Sequence, residues 1–522
     1  MDSTLLAFWS GLLVLIVAIV QRHLVAVNQA PSFDFYGHLY FGTLAREQGN
    51  GPFGPVVFNT IGSAPRSMPL LWNWVVAYLP RRWLLRHQHR LNGLVDSFVA
   101  WEIFFVAGFF GLATSQALVV SAAYIFSPAL CTRLAIGPRT QSFTPRLLSE
   151  VLVANFFVLG FVYSMSGNIL ALMGQVVAAS LVLLTSKFGT QALFFLGVTY
   201  SCLALDPNPI LALSGGMGLS LLVSRGQIFP IWRQHYKNLV NHFHTNRLGR
   251  SAVANRNSLT ELLRLLITLR TRTALVKLGW ALLGRNSYSG LVLKFPLALV
   301  AGGVVIGQLF LGGFSSLGPL ELLTISAWAL FIAVNQRYLL FVGEAERYLS
   351  SVAPILAIVI GMSLGDSVVQ VLVLVGILYG LAFSLAEFFT FRTLTTPPAL
   401  QVQAGSLVTE FLNAQPEDLV VLNYPFHAAG GTWRVLLETR HKSIYSVGSD
   451  SFMKEFRTRF LGVYPFANLA KLNEMTEEYG LNAVIVDLKK TSKESVLEHF
   501  DPSEWVEAMG VGDELTVMLR KL

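Results

Sequence analysis

The first three quarters of the chain alternate between long runs of apolar residues and short polar connections. A helix needs about 20 apolar residues to cross the hydrocarbon core of a bilayer. Several runs are shorter than this and could pair or re-enter, so the pattern predicts a polytopic α-helical membrane protein with about 11–13 transmembrane helices. The candidate runs are Leu5–Val20, Met68–Leu79, Leu94–Leu112, Ala117–Leu130, Leu147–Met165, Ile169–Thr185, Phe188–Leu205, Ile210–Val223, Leu291–Leu311, Leu320–Val342, Leu349–Leu364 and Val368–Phe391.

The pattern changes at the proline pair Pro397–Pro398. Short β-type runs then alternate with helical runs, which is typical of a small α/β domain with a mainly parallel sheet. We therefore expect a transmembrane domain over residues 1–396 and a soluble α/β domain over residues 397–522. The predicted strands are DLVVLNYP, HKSIYSV and NAVIVDL, the predicted helices are WRVLLETR and FANLAKLNEMTEEYG, and EWVEAMG…ELTVMLRKL is predicted to supply a last helix and strand.

Composition excludes a water-soluble globule. Hydrophobic residues make up 53% of the 522 residues, charged residues 13%, and the mean hydropathy is +0.56; a soluble chain carries about 25% charged residues. The sequence pI of 9.4 does not indicate nucleic-acid binding, because the positive charge lies among apolar helices. Cys131 and Cys202 form no metal or redox pattern.

Lys and Arg in the connections predict the orientation. Arg81–Arg90 holds four arginines and no acid, and residues 225–285 hold eleven Lys and Arg against Glu261 alone, so both segments read as cytoplasmic. The first loop, Asn28–Ser67, is then outside and the N-terminus inside. Twelve crossings would place residues 397–522 in the cytoplasm.

The basic segment, residues 225–285, also contains an amphipathic run. Basic residues recur at helical spacings in LTELLRLLITLRTRTALVKLGWALLGR. Such a helix is expected to lie on the anionic inner leaflet, at ~1 kcal/mol per basic residue. A nucleotide or protein docking site is the alternative, and nothing specific supports it.

The first loop is the most informative segment for chemistry. Its forty residues are rich in aromatic residues, Gly and Pro, so it is too apolar for a flexible tether. Asp34 and His38 are four residues apart in a helical pattern and face the same way. A carboxylate beside an imidazole at the membrane boundary could act as a general base, or hold a cation against a phosphate. Alternatively, Asp34 is an N-cap and His38 a satisfied polar contact.

Two arginines at helix starts are candidates for binding a phosphate, because the guanidinium fork binds two oxygens. Arg146 precedes Glu150 by four residues in PRLLSEV, and Arg347 follows GEAE and is followed by Tyr348. Free amides of the first helical turn would add to either site. We rank Arg347 slightly ahead of Arg146. An internal salt bridge of Arg347 is the alternative.

The two acids before Arg347 raise the question of a metal. Glu344 and Glu346 leave a net negative patch near the arginine, and such a patch could hold a divalent cation between protein and phosphate. The sequence shows no HExxH motif. Metal dependence therefore stays open, and a divalent cation is the only cofactor considered.

The start of the chain resembles the GT-C membrane glycosyltransferases. It has one helix, then a long outward loop that carries Asp, Tyr and His, and then a Pro-rich start to the next apolar run. The segments are FDFYGHLYFGTLAR and PRSMPLLWNWVVAYLP. This family includes protein O-mannosyltransferases, aminoarabinose transferases and oligosaccharyltransferases, and a C-terminal α/β domain is common in its bacterial members. Many members show paired acids where this chain has DFYGH, so the second carboxylate is in doubt.

The resemblance implies a glycosyltransferase of a bacterial or archaeal plasma membrane. The sugar would move from a polyprenyl-phosphate-linked donor to a glycan, lipid or protein acceptor on the outer face. Asp34 would deprotonate the acceptor hydroxyl or orient it, and His38, which the helical spacing places beside it, is the second catalytic candidate. Tyr36 and Tyr40 would stack on sugars, and a basic residue would hold the donor phosphate. The family usually places its C-terminal domain outside, which conflicts with the count of twelve crossings.

Two other function classes remain open. A transporter or lipid flippase would explain Asp96 and Glu102, two acids within an apolar run. Transporters usually show inverted repeats and matching broken helices, which we do not find. A non-catalytic scaffold is the third class. No GxGxxG or Walker A sequence is present, which agrees with a lipid-linked rather than a nucleotide-linked donor.

Overall fold

The chain folds into two compact units. The helical unit comprises residues 1–28, 87–228 and 253–394, and the mixed unit comprises residues 29–86, 229–252 and 395–522. The mixed unit thus contains both the first loop and the C-terminal domain. This computed structural model describes residues 3–26, 32–131, 139, 143–247, 257, 259–268, 275, 277–279, 281–336, 338–394, 398–444, 455–456, 458–462 and 466–521.

Most described residues are helical. In chain order the helices are α1 Ser3–Ala26, α2 Phe33–Glu47, α3 Leu71–Val76, α4 Arg81–Phe109, α5 Thr114–Ile125, α6 Pro128–Cys131, α7 Pro145–Ser166, α8 Ile169–Thr185, α9 Lys187–Ala204, α10 Asn208–Val223, α11 Ile228–Arg247, α12 Leu259–Ile267, α13 Ser287–Lys294, α14 Pro296–Gly312, α15 Pro319–Val334, α16 Glu346–Ser351, α17 Ala353–Met362, α18 Ser367–Leu394, α19 Pro398–Ala414, α20 Gly431–Glu438, α21 Leu472–Tyr479 and α22 Lys493–Leu497.

Several of these helices could cross a membrane. Within the described residues four are long and apolar enough, and the bent pair α13–α14 makes a fifth if it is one span. Shorter apolar helices are α5, α8, α10, α15 and α17. The predicted run Met68–Leu79 forms only α3, whose six residues are about 9 Å long. That prediction is wrong, because the run is too short to cross and belongs to the mixed unit.

Small residues let the helices of the helical unit approach closely. A Cβ added to Gly216 of α10 would meet the Cβ of Ala179 in α8 at 2.5 Å, and Ser220 Oγ donates to Ser180 Oγ over 3.1 Å. Such contacts replace the hydrophobic driving force that helices lack in lipid. Helix α17 is buried on all sides, with Ile355 to Ile360 at most 1% exposed, so it forms the centre of this unit.

The mixed unit contains a five-stranded sheet in the order β2-β1-β3-β5-β4. Strands β2, β1 and β3 are parallel, whereas β5 is antiparallel to both β3 and β4. The sheet is therefore mixed rather than mainly parallel. The strands are β1 Val420–Tyr424, β2 Lys442–Ser443, β3 Ala483–Asp487, β4 Trp505–Val511 and β5 Leu515–Arg520.

The predicted last helix is wrong, because EWVEAMG forms β4. Strand β4 turns back into β5 through Gly512, whose φ of +54° suits a tight turn, and a short hairpin connection requires antiparallel strands. The predictions for β1, β3, α20 and α21 are confirmed. The second half of HKSIYSV, from Tyr445, lies outside the described residues.

The first loop folds onto the C-terminal domain. Ile61 N donates to Ser443 O over 3.2 Å, and Ser443 N donates to Asn59 O over 3.4 Å, so residues 59–61 bridge to the edge strand β2 in parallel. The side-chain amide of Asn59 donates to the carbonyl oxygens of Arg440 and His441, both over 3.2 Å. These hydrogen bonds cover an edge that would otherwise be open for pairing.

Aromatic side chains fill the space between α2 and α20. Trp433 of α20 lies 4.7 Å from the ring of Phe41 and 5.9 Å from that of Tyr40, and Phe58 stacks on Phe41 at 5.0 Å. All four residues are buried. A first loop this rich in aromatics is thus a packed part of the mixed unit.

Candidate functional site

The predicted site residues fall into both compact units. Because the units are separate bodies, each group is described within its own unit. The mixed unit holds Asp34, Tyr36, His38 and Tyr40, and the helical unit holds Arg146, Glu150, Arg347 and Tyr348.

Helix α2 places Asp34 at an exposed position in its first turn. The helix begins after Ser32, whose Oγ accepts the backbone N–H of Phe35 over 3.2 Å. Ser32 is therefore the N-cap, and the alternative role of Asp34 as N-cap is wrong. The carboxylate instead lies near the positive end of the helix, which favours its charged form.

The neighbour that the structure gives Asp34 is a histidine of the C-terminal domain. Phe33 packs edge-on against His427, with ring centroids 4.4 Å apart, and the charge of Asp34 acts on the imidazole of His427. His427 lies three residues after the end of β1 and is half-buried. Sequence reasoning missed this residue because it lies almost 400 positions from Asp34 in the chain.

His38 lies deeper in the mixed unit than Asp34. Its ring packs edge-on against Phe41 at 6.2 Å. Burial lowers the pKa of His38 to about 4, and the neighbouring Asn73 side chain opposes that shift. His38 is thus neutral at pH 7, and the groups that act on its protonation do not include Asp34. Its catalytic role stays a prediction.

Tyr36 and Tyr40 are both buried, at 2% and 5% exposure. The Arg434 guanidinium lies 5.3 Å from the ring centre of Tyr36, and the Tyr40 hydroxyl accepts the backbone N–H of Asn59 over 2.8 Å. Burial raises the pKa of Tyr40 to about 12, so its hydroxyl stays protonated. Both rings serve packing here, and stacking on a sugar stays a prediction.

In the helical unit Asp96 is the centre of a buried ion network. Its carboxylate accepts Arg22 Nε over 2.5 Å, Arg139 Nη2 over 2.8 Å and the Tyr124 hydroxyl over 2.7 Å. Asp96, Arg22 and Arg139 are at most 2% exposed. The carboxylate is therefore neutralised by two arginines. Sequence reasoning missed Arg22 and Arg139, although an arginine beside an apolar run is itself a signal of function.

Glu150 extends this network to the predicted Arg146. Arg139 Nε donates to one oxygen of Glu150 over 2.6 Å, and Arg146 Nε donates to the other over 2.9 Å. Arg146 is 7% exposed, and its Nη1 has no hydrogen-bond partner within the described residues. An unsatisfied buried guanidinium nitrogen is costly, so it marks a place where an anion would be stabilised.

Arg347 is near enough to Arg146 and to Lys187 for its positive charge to act on both. Its Nε donates to Glu344 over 2.6 Å, and its guanidinium lies 3.9 Å from the ring centre of Phe188. The internal salt bridge considered as an alternative is thus present. Tyr348 is buried, with its ring 6.5 Å from that of Phe195.

The proposed divalent cation fits these residues poorly. The carboxylate of Glu344 is already engaged by Arg347. Among the described residues no group of three or more His, Cys, Asp or Glu could hold a metal ion. We derive no chemical step through a metal.

An apolar groove runs along the surface of the helical unit. It has a volume of about 870 Å³ and is lined by α13, α14, the end of α17 and α18. Its lining is almost wholly aliphatic, with Gln308, Ser363 and Asp366 among the few polar members. Such a groove suits an acyl or prenyl chain.

Solved structures with the same fold are known. ArnT from Cupriavidus metallidurans bound to undecaprenyl phosphate matches with a TM-score of 0.54 and 11% identity, over 97% of this chain and 97% of that chain. Archaeal oligosaccharyltransferase AglB from Archaeoglobus fulgidus, in complex with an inhibitory peptide and a dolichol-phosphate, matches with a TM-score of 0.53 and 9% identity, over 96% and 73%.

A third structure, the Archaeoglobus fulgidus oligosaccharyltransferase complex with Zn and sulfate, matches with a TM-score of 0.52 and 12% identity, over 91% of this chain and 68% of that chain. No protein-family model and no curated protein matches the sequence. ArnT and AglB are both GT-C glycosyltransferases. The predicted resemblance is therefore confirmed at the level of structure: this chain has the fold of the GT-C membrane glycosyltransferases.

Proposed function

We propose that this protein is a membrane glycosyltransferase that moves a sugar from a polyprenyl-phosphate-linked donor to an acceptor on the outer face of a bacterial or archaeal plasma membrane. The observation that carries the proposal is the cation cluster of buried Arg146 with the partly exposed Lys187 and Arg347, in a chain of GT-C fold. The structures of similar fold, solved with undecaprenyl phosphate and dolichol-phosphate, support the donor class.

The reaction needs a base, a leaving-group site and a place for the lipid. The acceptor hydroxyl attacks the anomeric carbon, its proton passes to Asp34, and the carbon–oxygen bond to the phosphate breaks with the electron pair staying on the phosphate. Arginines stabilise the negative charge that grows there. The apolar groove would hold part of the prenyl chain.

Of the two arginine candidates, we now rank Arg146 first. Arg347 Nε is engaged by Glu344 and its guanidinium covers Phe188, whereas Arg146 retains a buried nitrogen without a partner among the described residues. Glu150 would orient Arg146, and Tyr348 would support the start of α16.

The number of membrane crossings decides on which side the first loop and the C-terminal domain lie. We propose that the eleven predicted runs other than Met68–Leu79 each cross the bilayer. An odd number of crossings places the two ends of the chain on opposite sides. With the first loop taken as outside, the N-terminus is inside and the C-terminal domain is outside, on the side of the first loop with which it shares the mixed unit. Arg81–Arg90, which the positive-inside rule places in the cytoplasm, then also lies outside, because no crossing separates it from the first loop. The crossing segments are α1, α4, α5, α7, α8, α9, α10, α13–α14, α15, α16–α17 and α18.

Because each crossing moves the chain to the other side of the membrane, the number of crossings also assigns a side to each of the three cations. Arg146, Lys187 and Arg347 lie at the starts of α7, α9 and α16, and each of these helices follows an odd number of crossings. In the proposed topology all three helix starts therefore face outside. This is the side on which the proposed transfer takes place.

The experiment is transfer by the purified full-length protein in nanodiscs, with a panel of radiolabelled undecaprenyl-phosphate sugars and membrane extract as the source of acceptor. Asp34→Asn should abolish transfer and keep the unfolding temperature. Glu47→Gln, an exposed carboxylate at the other end of α2, is the matched control and should transfer normally. Normal transfer by Asp34→Asn would remove Asp34 from the mechanism.

A further inference from the structure

The C-terminal domain has a topological switch point between β1 and β3. These two strands are adjacent and parallel, so their carboxyl ends meet at one edge of the sheet. Val435 of α20, which follows β1, packs with Ala483 and Ile485 on one face. Val496 of α22, which follows β3, packs with Val484 and Val486 on the other face.

Connections that leave adjacent parallel strands toward opposite faces open a crevice at the carboxyl ends of the strands. In open α/β sheets this crevice is where ligands bind. Here it lies beyond Tyr424, the last residue of β1, and Asp487, the last residue of β3. The position follows from the strand order 2-1-3 alone.

Titratable side chains from three separate segments meet at this edge. His427 follows β1, Asp487 ends β3, and Lys490 follows three residues later. Helix α2 of the first loop brings Asp34, because Phe33 packs on His427 at 4.4 Å and on Trp433 at 6.1 Å. Lys490 acts electrostatically on both His427 and Asp487.

The charges at this edge keep the imidazole neutral. Burial lowers the pKa of His427 and the charge of Lys490 lowers it further, while Asp34 opposes the shift. A neutral imidazole can accept a hydrogen bond from a hydroxyl, whereas an imidazolium cannot.

We propose that the acceptor binds at the β1–β3 switch point and that His427, rather than His38, is the imidazole that works with Asp34. His427 accepts a hydrogen bond from a second hydroxyl of the acceptor and so orients the acceptor, and Asp34 takes the proton of the attacking hydroxyl as its oxygen bonds to the anomeric carbon and the phosphate leaves. The acceptor class is a hydroxyl compound that fits over a sheet edge bearing Asp34, Asp487 and Lys490. This inference rests on the proposed function, and it assigns the C-terminal domain a direct part in the reaction.

The first test needs no acceptor. Diethyl pyrocarbonate modifies neutral histidines, and mass spectrometry follows the modification of each histidine in the purified full-length protein. The pH dependence of the rate at His427 reports the pKa of that residue. Asp34→Asn should move that pKa down by about 0.3–1 unit, because a nearby negative charge is lost. Lys490→Gln should move it up. If neither variant shifts the pH dependence of His427 modification, Asp34 and Lys490 do not act on His427 and the proposed cluster of these residues is overturned.

The second test compares transfer from the radiolabelled undecaprenyl-phosphate sugars by His427→Ala and His427→Gln. We expect kcat/KM to fall about 10²–10⁴-fold in His427→Ala, with partial rescue in His427→Gln, whose amide oxygen can still accept the hydrogen bond. His499→Gln, at a partly exposed histidine of the same domain, should transfer normally. Unchanged unfolding temperatures exclude misfolding as the cause.

The outcomes separate this inference from the proposed function. Loss of transfer in Asp34→Asn together with normal transfer in His427→Ala would overturn the inference and leave the function standing. Normal transfer in both variants would overturn both assignments. Loss in both, with rescue by His427→Gln, would support the pairing of the two residues.

Discussion

The indole ring of Trp433 lies directly against the Cα of Gly37, so that a Cβ added to Gly37 would stand 2.9 Å from Trp433 Cδ1. Gly37 is in α2 of the first loop and Trp433 in α20 of the C-terminal domain. Their contact belongs to the aromatic packing that holds Asp34 beside His427. A glycine is required here because the two helices approach too closely for any side chain.

The close contact predicts that Gly37→Ala destabilises the mixed unit. The added methyl should displace Trp433 and cost about 1–3 kcal/mol, and Trp433→Ala should cost about 3–5 kcal/mol. Thermal unfolding in detergent and limited proteolysis of the first loop measure both effects. Gly108→Ala is the matched control, because its Cβ meets no atom within 4 Å; equal stability of Gly37→Ala and wild type would contradict the close contact.

The shared unit predicts that the first loop and the C-terminal domain are exposed on one side of the membrane. In a background carrying Cys131→Ala and Cys202→Ala, Glu47→Cys and Asp513→Cys should both react with an impermeant maleimide from outside intact cells. Ser315→Cys, between α14 and α15, should react only after lysis. Opposite sidedness of Glu47→Cys and Asp513→Cys would refute the proposed topology.

The basic segment, residues 225–285, allows a separate test of which side of the membrane the mixed unit occupies. The positive-inside rule places residues 225–285 in the cytoplasm, whereas residues 229–252 belong to the mixed unit with the first loop. We expect Lys237→Cys, an exposed position of α11, to react from outside in the same assay. Reaction only after lysis would restore the cytoplasmic placement.

The unpartnered nitrogen of Arg146 predicts that Arg146→Ala weakens donor binding by the equivalent of about 2–4 kcal/mol, or about 30–1,000-fold. Binding of undecaprenyl phosphate to the protein in nanodiscs, measured by native mass spectrometry, reports the change. Arg347→Ala should have a smaller effect, because that guanidinium is already paired with Glu344. The reverse order would restore Arg347 as the phosphate ligand, and two normal variants would place the phosphate elsewhere.

The ion network around Asp96 predicts a stability effect without a change of shape. Asp96→Asn leaves Arg22 and Arg139 buried with less compensating charge, which should cost about 3–5 kcal/mol. Thermal unfolding and yield in detergent measure the loss. Adding Arg22→Gln to Asp96→Asn should recover part of it, since one uncompensated charge is removed; a double variant as unstable as the sum of the two single variants would argue against coupling.

The buried His38 predicts a pH dependence of stability. Its folded pKa of about 4 lies below the ordinary value of about 6.5, so the unfolded chain binds more protons between these two pH values. The free energy of unfolding should therefore fall as the pH falls from 6.5 toward 4, by up to ~3 kcal/mol. Unfolding temperatures at pH 7 and 4.5 test this, and His38→Gln should show a smaller decrease than wild type. An unchanged decrease would assign the effect to other groups.

The sequence by itself determined the features that depend on neighbouring residues. Apolar runs of membrane length located the long helices α1, α4, α7 and α18, because a lipid environment demands an unbroken stretch of apolar side chains. The strands β1 and β3 followed from local changes of period. Asp34 was placed correctly on a helix of the first loop, because helical spacing is also a local property.

Only the tertiary structure decided which distant segments meet. Asp34 and His427, or Arg22, Asp96 and Arg139, are far apart in sequence, and no period within one helix or strand records their pairing. The partners are selected by packing and by the need to neutralise buried charge, which act between elements. For the same reason Met68–Leu79 looked like a crossing. Met68, Leu70 and Trp74 of this run pack into the aromatic cluster of the mixed unit, and composition alone does not distinguish side chains that pack inside a protein from side chains that face lipid.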